Sequence, residues 1–248
     1  ILENRYRVLK GTRYGYPDYD DAWLYYLSNN SSIVFDVGCH MGKSALLISN
    51  ANSLKLMVLI DPNPLSLSKA AENLIINNIV EKAMFISKAA WVKTGEKIKL
   101  WTMPGAFSGA SVNIDFTESG SITKNYFDVE TITLDEIAIN YNFNPDLIKI
   151  DVEGYEMEVI KGGQKILSSP ELQGIIIELN GNSRQYGITD NQIHHEIIKY
   201  GFSPVRYDPF SRNIRRIHNY NNQNHNTIYI RDLNAARKLV AKSKKYKI

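Results

Sequence analysis

The sequence holds one cysteine, Cys39, among 248 residues. A disulfide framework and a thiolate cluster for zinc are therefore excluded, and a reducing setting, the cytoplasm, is expected. No apolar run approaches the roughly 18–20 residues of a spanning helix, and no basic-apolar-small signal pattern opens the chain, so neither membrane spanning nor secretion is expected. Charge of one sign is also scarce. The formal net charge of +3 gives no footprint for a nucleic-acid partner by itself. Basic residues collect only at the end, where 237–247 carries six and no acid. That stretch fits the solvated face of an amphipathic last helix, with docking of an anionic partner as the alternative. Internal repeats are absent, and so is the GxGxxG that presses a backbone turn and a helix N-terminus against a pyrophosphate.

What is present suffices for one large α/β domain with modest additions, since 44% of the residues are hydrophobic. Short branched apolar runs predict strands over 33–37, 56–61, 83–87, 147–151 and 174–179, with two more near 202–207 and 227–231. Helical spacing predicts helices over 19–28, 43–50, 64–77, 134–141, 155–167 and 191–200. This alternation describes a mostly parallel, doubly wound sheet covered on both faces. A helical extension (1–32) precedes the main domain (33–231), and a basic tail (232–248) follows it. Segments 91–133 and 208–226 break the rhythm. The first alternates polar and apolar residues around a Gly/Ser-rich middle and predicts an antiparallel excursion or flap; loops of this length either serve a site or are disordered.

Three stretches carry the chemistry. DLIKIDVEGYEMEVIKGG (146–163) runs an apolar strand into Asp151 and then Glu153, at the carboxyl end of a buried strand, where open α/β sheets bind ligands. IVFDVGCHMGKSALLI (33–48) ends a strand with Asp36 and the turn Gly38 to Gly42. A cofactor without phosphate needs such a bare turn, plus an acid for a cationic ammonium. VLIDPNP (58–64) then places Asp61 about twenty residues past the turn, the distance of an acid that grips ribose hydroxyls, on a turn stiffened by Pro62 and Pro64.

Taken together, VFDVGCHMG, IDPNP, TLDEI and DLIKIDVEGYEMEVIKGG, with IIIELN and a late NTIYIR, resemble the FkbM family of S-adenosylmethionine-dependent methyltransferases across 33–231. The resemblance implies a Rossmann-like class I methyltransferase fold with an antiparallel final strand. It also implies O-methylation of a hydroxyl, commonly on a sugar, glycoconjugate or polyketide-like product. His40 stands where the family often has a small residue, and Asp61 where glutamate is commoner. The expected cofactor set is Asp36, Gly38, Cys39, His40, Gly42, Asp61, Asn63, Ala89 and Ala90, the two alanines leaving room for the adenine ring.

A hydroxyl is a poor acid, so its proton needs a base or a metal. Asp151 and Glu153 are the expected base or acceptor ligands, although an acid in a helix's first turn is also stabilised by the dipole. Asp151, Glu178 and Asn180, the last two on one face of a strand end, are the expected oxygen ligands for Mg²⁺ or Mn²⁺. His40, His194 and His195 are weaker candidates for a base, and Glu156 and Glu158 are expected in solvent. The expected acceptor is a small-molecule or glycan hydroxyl. An RNA ribose or polyketide methyltransferase and a non-catalytic cofactor-binding module are the alternatives; no RNA-binding module is recognisable. The missing GxGxxG argues against a nicotinamide dehydrogenase.

Overall fold

A computed structural model of the protein describes residues 7–9, 19–29, 31–51, 53–102, 125–208 and 211–242. Eight strands form one sheet in the spatial order β3 (Ala83–Ile86), β2 (Leu56–Ile60), β1 (Ile33–Val37), β7 (Leu147–Ile150), β8 (Gly174–Glu178), β11 (Asn226–Ile230), β9 (Ser203–Asp208) and β10 (Asn213–Arg216). The first five are parallel. β11 runs antiparallel between β8 and β9, as expected of the final strand. From β1 the chain winds outward through β2 and β3, then returns to the other side of β1 with β7 and β8. The β1/β7 edge is therefore the topological switch point, beyond whose carboxyl ends an α/β sheet opens a crevice.

Side chains alternate across this sheet with period two. Val34, Met57, Leu59, Leu147 and Ile176 pack beneath α1 (Tyr19–Ser28), α2 (Lys43–Ile48), α3 (Pro64–Ile75) and α8 (Leu233–Lys242). Phe35, Val37, Ile148, Ile150 and Ile177 pack against α4 (Leu134–Tyr141), α5 (Glu156–Lys161), α6 (Gln164–Ser168) and α7 (Asp190–Lys199). Both faces being dry, the strands read as near-continuous apolar runs instead of alternating ones. The same parity puts Asp36 and Lys149, opposite each other in register, on the α2/α3 face.

Three details depart from the expectations. The helix expected over 155–167 is two short helices, because Gly162 lies against the Trp91 carbonyl; a Cβ there would stand 2.0 Å from that oxygen. Segment 208–226 contains β10, an edge strand in which only Ile214 is buried, so its sequence shows no apolar alternation. Segment 91–133 contributes to a separate three-stranded sheet, in which β6 (Asn125–Ile132) pairs antiparallel with β5 (Lys97–Thr102) and parallel with β4 (Ala89–Ala90). The Gly/Ser-rich middle, 103–124, lies outside the described residues. The tail opens with α8, whose Ala236 and Val240 are buried. No helix among the described residues is long and apolar enough to cross a membrane.

Candidate active site

The turn after β1 is built from backbone that only glycine relaxes. Gly38 and Gly42 have φ of +79° and +76°, and His40 between them has +48°. A Cβ on Gly38 would stand 1.8 Å from the Asp151 carbonyl oxygen, and one on Gly42 would stand 3.0 Å from the Ala70 Cβ. The turn is thus pressed between the end of β7 and α3, leaving its backbone bare toward the crevice. Asp61, just past β2, is 8% exposed. Its Oδ2 accepts the His40 N–H at 2.9 Å and its Oδ1 the Asn63 N–H at 2.8 Å, which leaves each oxygen a second lone pair for a ligand hydroxyl. Burial pushes the Asp61 carboxyl up, and those two N–H groups pull it back.

Among the remaining expected cofactor residues, Asn63 caps α3 by accepting the Leu65 N–H at 3.0 Å. Ala89 and Ala90 are buried on β4. Cys39 is buried, and its thiol is pushed well up by that burial and by the Asp61 and Asp36 charges, so it is inert packing beside the turn. Asp36 is fully buried and accepts the Ser44 hydroxyl, while its Oδ1 has no hydrogen-bond partner. The His40 Nε2 is likewise buried and unpartnered. A bare glycine turn, a buried carboxylate with free lone pairs and two orphaned polar atoms fit a cofactor that brings a ribose diol and an ammonium.

A second group of charges lies along the carboxyl ends of β7 and β8. Lys149 Nζ stands 2.8 Å from Asp151 Oδ2, with the lysine side chain 16% exposed. Burial works against the ammonium, but Asp151, Asp36 and Glu178 outweigh it and hold the proton more firmly than on a free lysine. Glu153 adopts φ +54°, a left-handed conformation that strains a residue with a Cβ, and its Oε2 accepts the Asn182 amide at 3.0 Å. Glu156 is 2% exposed and accepts the Gly154 N–H at 3.0 Å and the Ser183 hydroxyl at 3.1 Å. Glu178 is half-buried, and burial together with the Asp151 and Glu153 charges pushes its carboxyl up to about 8. Beside this group, Trp91 and Tyr155 lie with ring centroids 5.1 Å apart, and Tyr155 and Tyr186 with centroids 4.2 Å apart.

The structure brings Asp151, Glu153 and Glu178 together but does not assemble the expected metal set. The Lys149 ammonium already neutralises Asp151, and Asn180 is exposed, its Oδ1 taken by the Asn182 N–H at 3.0 Å. Among the described residues no three His, Cys, Asp or Glu side chains gather to hold an ion. Glu156, expected in solvent, is instead a buried brace for the turn after β7. His194 is buried with Nδ1 2.9 Å from the Tyr229 hydroxyl, and His195 is exposed against the Asn191 carbonyl, so neither reaches the crevice as a base. Sequence reasoning passed over Lys149, Ser44, Asn182 and the aromatic wall. The signal for Lys149 was a cation inside a four-residue apolar strand.

A family model described as a methyltransferase FkbM domain matches residues 36–204. No curated protein matches the chain. Solved structures match at low identity. A precorrin 8w decarboxylase from Methanobacterium thermoautotrophicum is 13% identical, over 87% of this chain and 90% of that one, with a TM-score of 0.47. The SAH-bound methyltransferase PaMTH1 from Podospora anserina is 11% identical, over 86% and 77%, with a TM-score of 0.46. The O-methyltransferase TomG from Streptomyces achromogenes, in complex with SAM, is 8% identical, over 85% and 78%, with a TM-score of 0.45.

Proposed function

The chain belongs to the FkbM methyltransferase family and is an S-adenosylmethionine-dependent methyltransferase, and we propose that its acceptor is a hydroxyl on a neutral, polyhydroxylated molecule, a sugar or glycan. The observation that carries this reading is the grouping of charges and rings around the turn after β7. Asp151, Glu153 and Glu178 face a single ammonium, Lys149, beside the Trp91, Tyr155 and Tyr186 rings. Carboxylates bond hydroxyls and aromatic faces stack on sugar rings, whereas a polyphosphate backbone is repelled by such a surface. That repulsion favours a glycan over the RNA ribose alternative.

S-adenosylmethionine, when bound, supplies a methyl carbon carried on a sulfonium. The chain's own residues hold and orient: the Gly38 to Gly42 backbone admits the cofactor closely, Asp61 takes the ribose diol, Asp36 and His40 offer their unpartnered atoms to the ammonium end or to a bridging water, and Ala89 and Ala90 leave space for the adenine. Holding the acceptor oxygen in line with the methyl carbon supplies much of the rate enhancement, because it removes the entropy of encounter. Mg²⁺ or Mn²⁺ is given no step here, since Asp151 is paired with Lys149 and Asn180 is exposed with its Oδ1 taken by the Asn182 N–H. Dialysis against a chelator is accordingly expected to leave turnover unchanged; recovery only on adding a divalent ion would restore the metal reading.

Asp61→Ala is expected to weaken S-adenosylhomocysteine binding at least tenfold by calorimetry, as hydrogen bonds to a charged group contribute about 1.5–3 kcal/mol each. Asp61→Asn, which keeps one acceptor oxygen for the turn, is expected to fall between. Wild-type affinity in a folded Asp61→Ala protein would remove Asp61 from the ribose site. The acceptor class is tested by mass spectrometry of neutral oligosaccharides, polyketides and RNA after incubation with enzyme and S-adenosylmethionine. An alkali-stable methyl ether on an oligosaccharide is expected; methylation confined to RNA or to amines would overturn the reading, and release of no S-adenosylhomocysteine with any acceptor would leave a binding module.

A further inference from the structure

We infer that Glu178 is the group that takes the proton from the acceptor hydroxyl, and that Lys149 and Asp151 beside it are a fixed ion pair that positions the crevice without exchanging that proton. This rests on the reading of the enzyme as a hydroxyl methyltransferase. Its basis is a census of carboxylates. Around the crevice, Asp36 is bound by Ser44, Asp61 by the His40 and Asn63 backbone, Asp151 by Lys149, Glu153 by Asn182, and Glu156 by Gly154 and Ser183. Among the described residues, Glu178 is the acid of this group whose carboxylate accepts no hydrogen bond. A carboxylate already bonded loses an interaction when it is protonated; an unbonded one does not.

Placement agrees with the census. Lys149 lies opposite Ile176 in register, so Asp151 and Glu178, each two residues further, end neighbouring strands on the same face. The Asp151 carbonyl is the surface on which the Gly38 turn rests. Glu178 therefore stands two strands beyond β1 and its cofactor turn, with β7 between, on the side away from β2 and Asp61, the side this assignment gives to the acceptor. The charged groups facing it are Lys149 from β7, Asp151 just past its end, Glu153 from the turn that follows and Glu156 from α5, with Asn226 of β11 opposite in register. Burial first, and then three negative groups against one ammonium, make it a stronger base than a free carboxylate.

In the step, the O–H bond breaks and its proton passes to Glu178. An oxygen lone pair forms the new bond to the methyl carbon, and the methyl–sulfur bond breaks with its electrons left on sulfur. The products are a methyl ether, neutral S-adenosylhomocysteine and a protonated Glu178, which returns its proton to water.

The test uses Glu178→Gln and Glu178→Asp with an acceptor that the wild type methylates. A positioned base contributes about 10²–10⁴-fold; Glu178→Gln is expected to lose kcat/KM in that range while binding S-adenosylhomocysteine within about twofold of wild type. At saturating cofactor the wild-type kcat/KM is expected to climb with pH to a plateau, its midpoint at or below about 8 because a bound sulfonium lowers the carboxyl. Glu178→Gln lacks this limb, and Glu178→Asp keeps it at reduced rate. A structural readout moves the other way. The folded-state pKa of Glu178 lies above the unfolded value of about 4.3, so its charge burdens the fold progressively as pH rises from there to about 8. Glu178→Gln is thus expected to melt higher than wild type at alkaline pH and equally at acid pH.

A Glu178→Gln protein that keeps the rate or the pH limb overturns the assignment, as does a loss of rate matched by an equal loss of cofactor affinity. If the wild type methylates only amines or carbon, product chemistry shows that the hydroxyl reading itself has failed, and the assignment falls with it.

Discussion

Gly38→Ala is expected to abolish cofactor binding and to cost the fold about 2–5 kcal/mol, the sum of a left-handed backbone penalty and overpacking. The residue has φ +79°, and its new methyl would stand 1.8 Å from the Asp151 carbonyl oxygen and 2.7 Å from its carbon. Neither side can yield. The Asp151 N–H is bonded to Val37 at 2.9 Å and the Gly38 N–H to Ile60 at 2.8 Å, so retreat breaks sheet hydrogen bonds on one flank or the other. Gly95 provides the control, having φ +83° but no atom within 4 Å of a Cβ. Gly95→Ala is therefore expected to show the backbone penalty of about 1–2 kcal/mol alone, with cofactor affinity intact. Urea denaturation and calorimetry with S-adenosylhomocysteine measure both. Wild-type affinity in Gly38→Ala would mean that the turn does not carry the cofactor.

The part of this architecture that sequence makes legible is the part set by local pattern. Runs such as IVFDV, LMVLI and GIIIE are branched and apolar on both parities, and only a strand covered on both faces tolerates that. The break in the helix expected over 155–167 depends on the Trp91 carbonyl, which approaches Gly162 from a distant part of the chain; a GG pair alone admits a cap or a kink equally. β10 is hidden for a related reason. An edge strand with Asn213, Arg215 and Arg216 outward carries one apolar contact, and one contact has no period.

At the site, the glycines and Asp61 are legible because their roles follow from spacing along one strand-turn-helix unit. Glu156 is not. The strained turn at Glu153 and Gly154, with φ of +54° and +107°, folds the start of the helix back so that Glu156 accepts the Gly154 N–H and the Ser183 hydroxyl, partners that no helical spacing announces. Glu178 is visible as an acid at a strand end, but its freedom is not, because it depends on which neighbours are already bound. Lys149 is visible only once parity is combined with register: period two sets it on the face of Asp151, and the β1–β7 pairing sets it opposite Asp36.

That position leads to the second large effect, expected of Lys149→Met. The substitution keeps the stem's volume and removes the ammonium, leaving a fully buried Asp36 with Ser44 as its donor, and Asp151 facing Glu153 and Glu178. Removing one partner of a fully buried ion pair costs about 3–5 kcal/mol, because the other charge stays behind unpaired; the Asp151 side chain is 34% exposed and regains part of that from water, so the low end of the range or less is expected. The pH dependence has a definite sign. In the wild type the folded pKa of Lys149 is raised, so its contribution is fully present below the unfolded value of about 10.4 and is lost only as pH rises through the folded value. In the variant, Asp36, already raised by burial, loses the cation that lowers it. Its charge burdens the fold only above the unfolded carboxyl value of about 3.9. The stability gap between wild type and Lys149→Met is therefore expected to be wide at pH 7 and to close as pH falls toward 4. Adding Asp36→Asn to Lys149→Met is expected to recover part of the loss, since it removes the stranded charge while keeping an acceptor for Ser44. Denaturant midpoints of the two single variants and the double at both pH values complete the cycle. Equal stability of wild type and Lys149→Met at pH 7 would show that the ammonium does not neutralise these carboxylates, and the assignment of Asp151 to a fixed ion pair would fall with it.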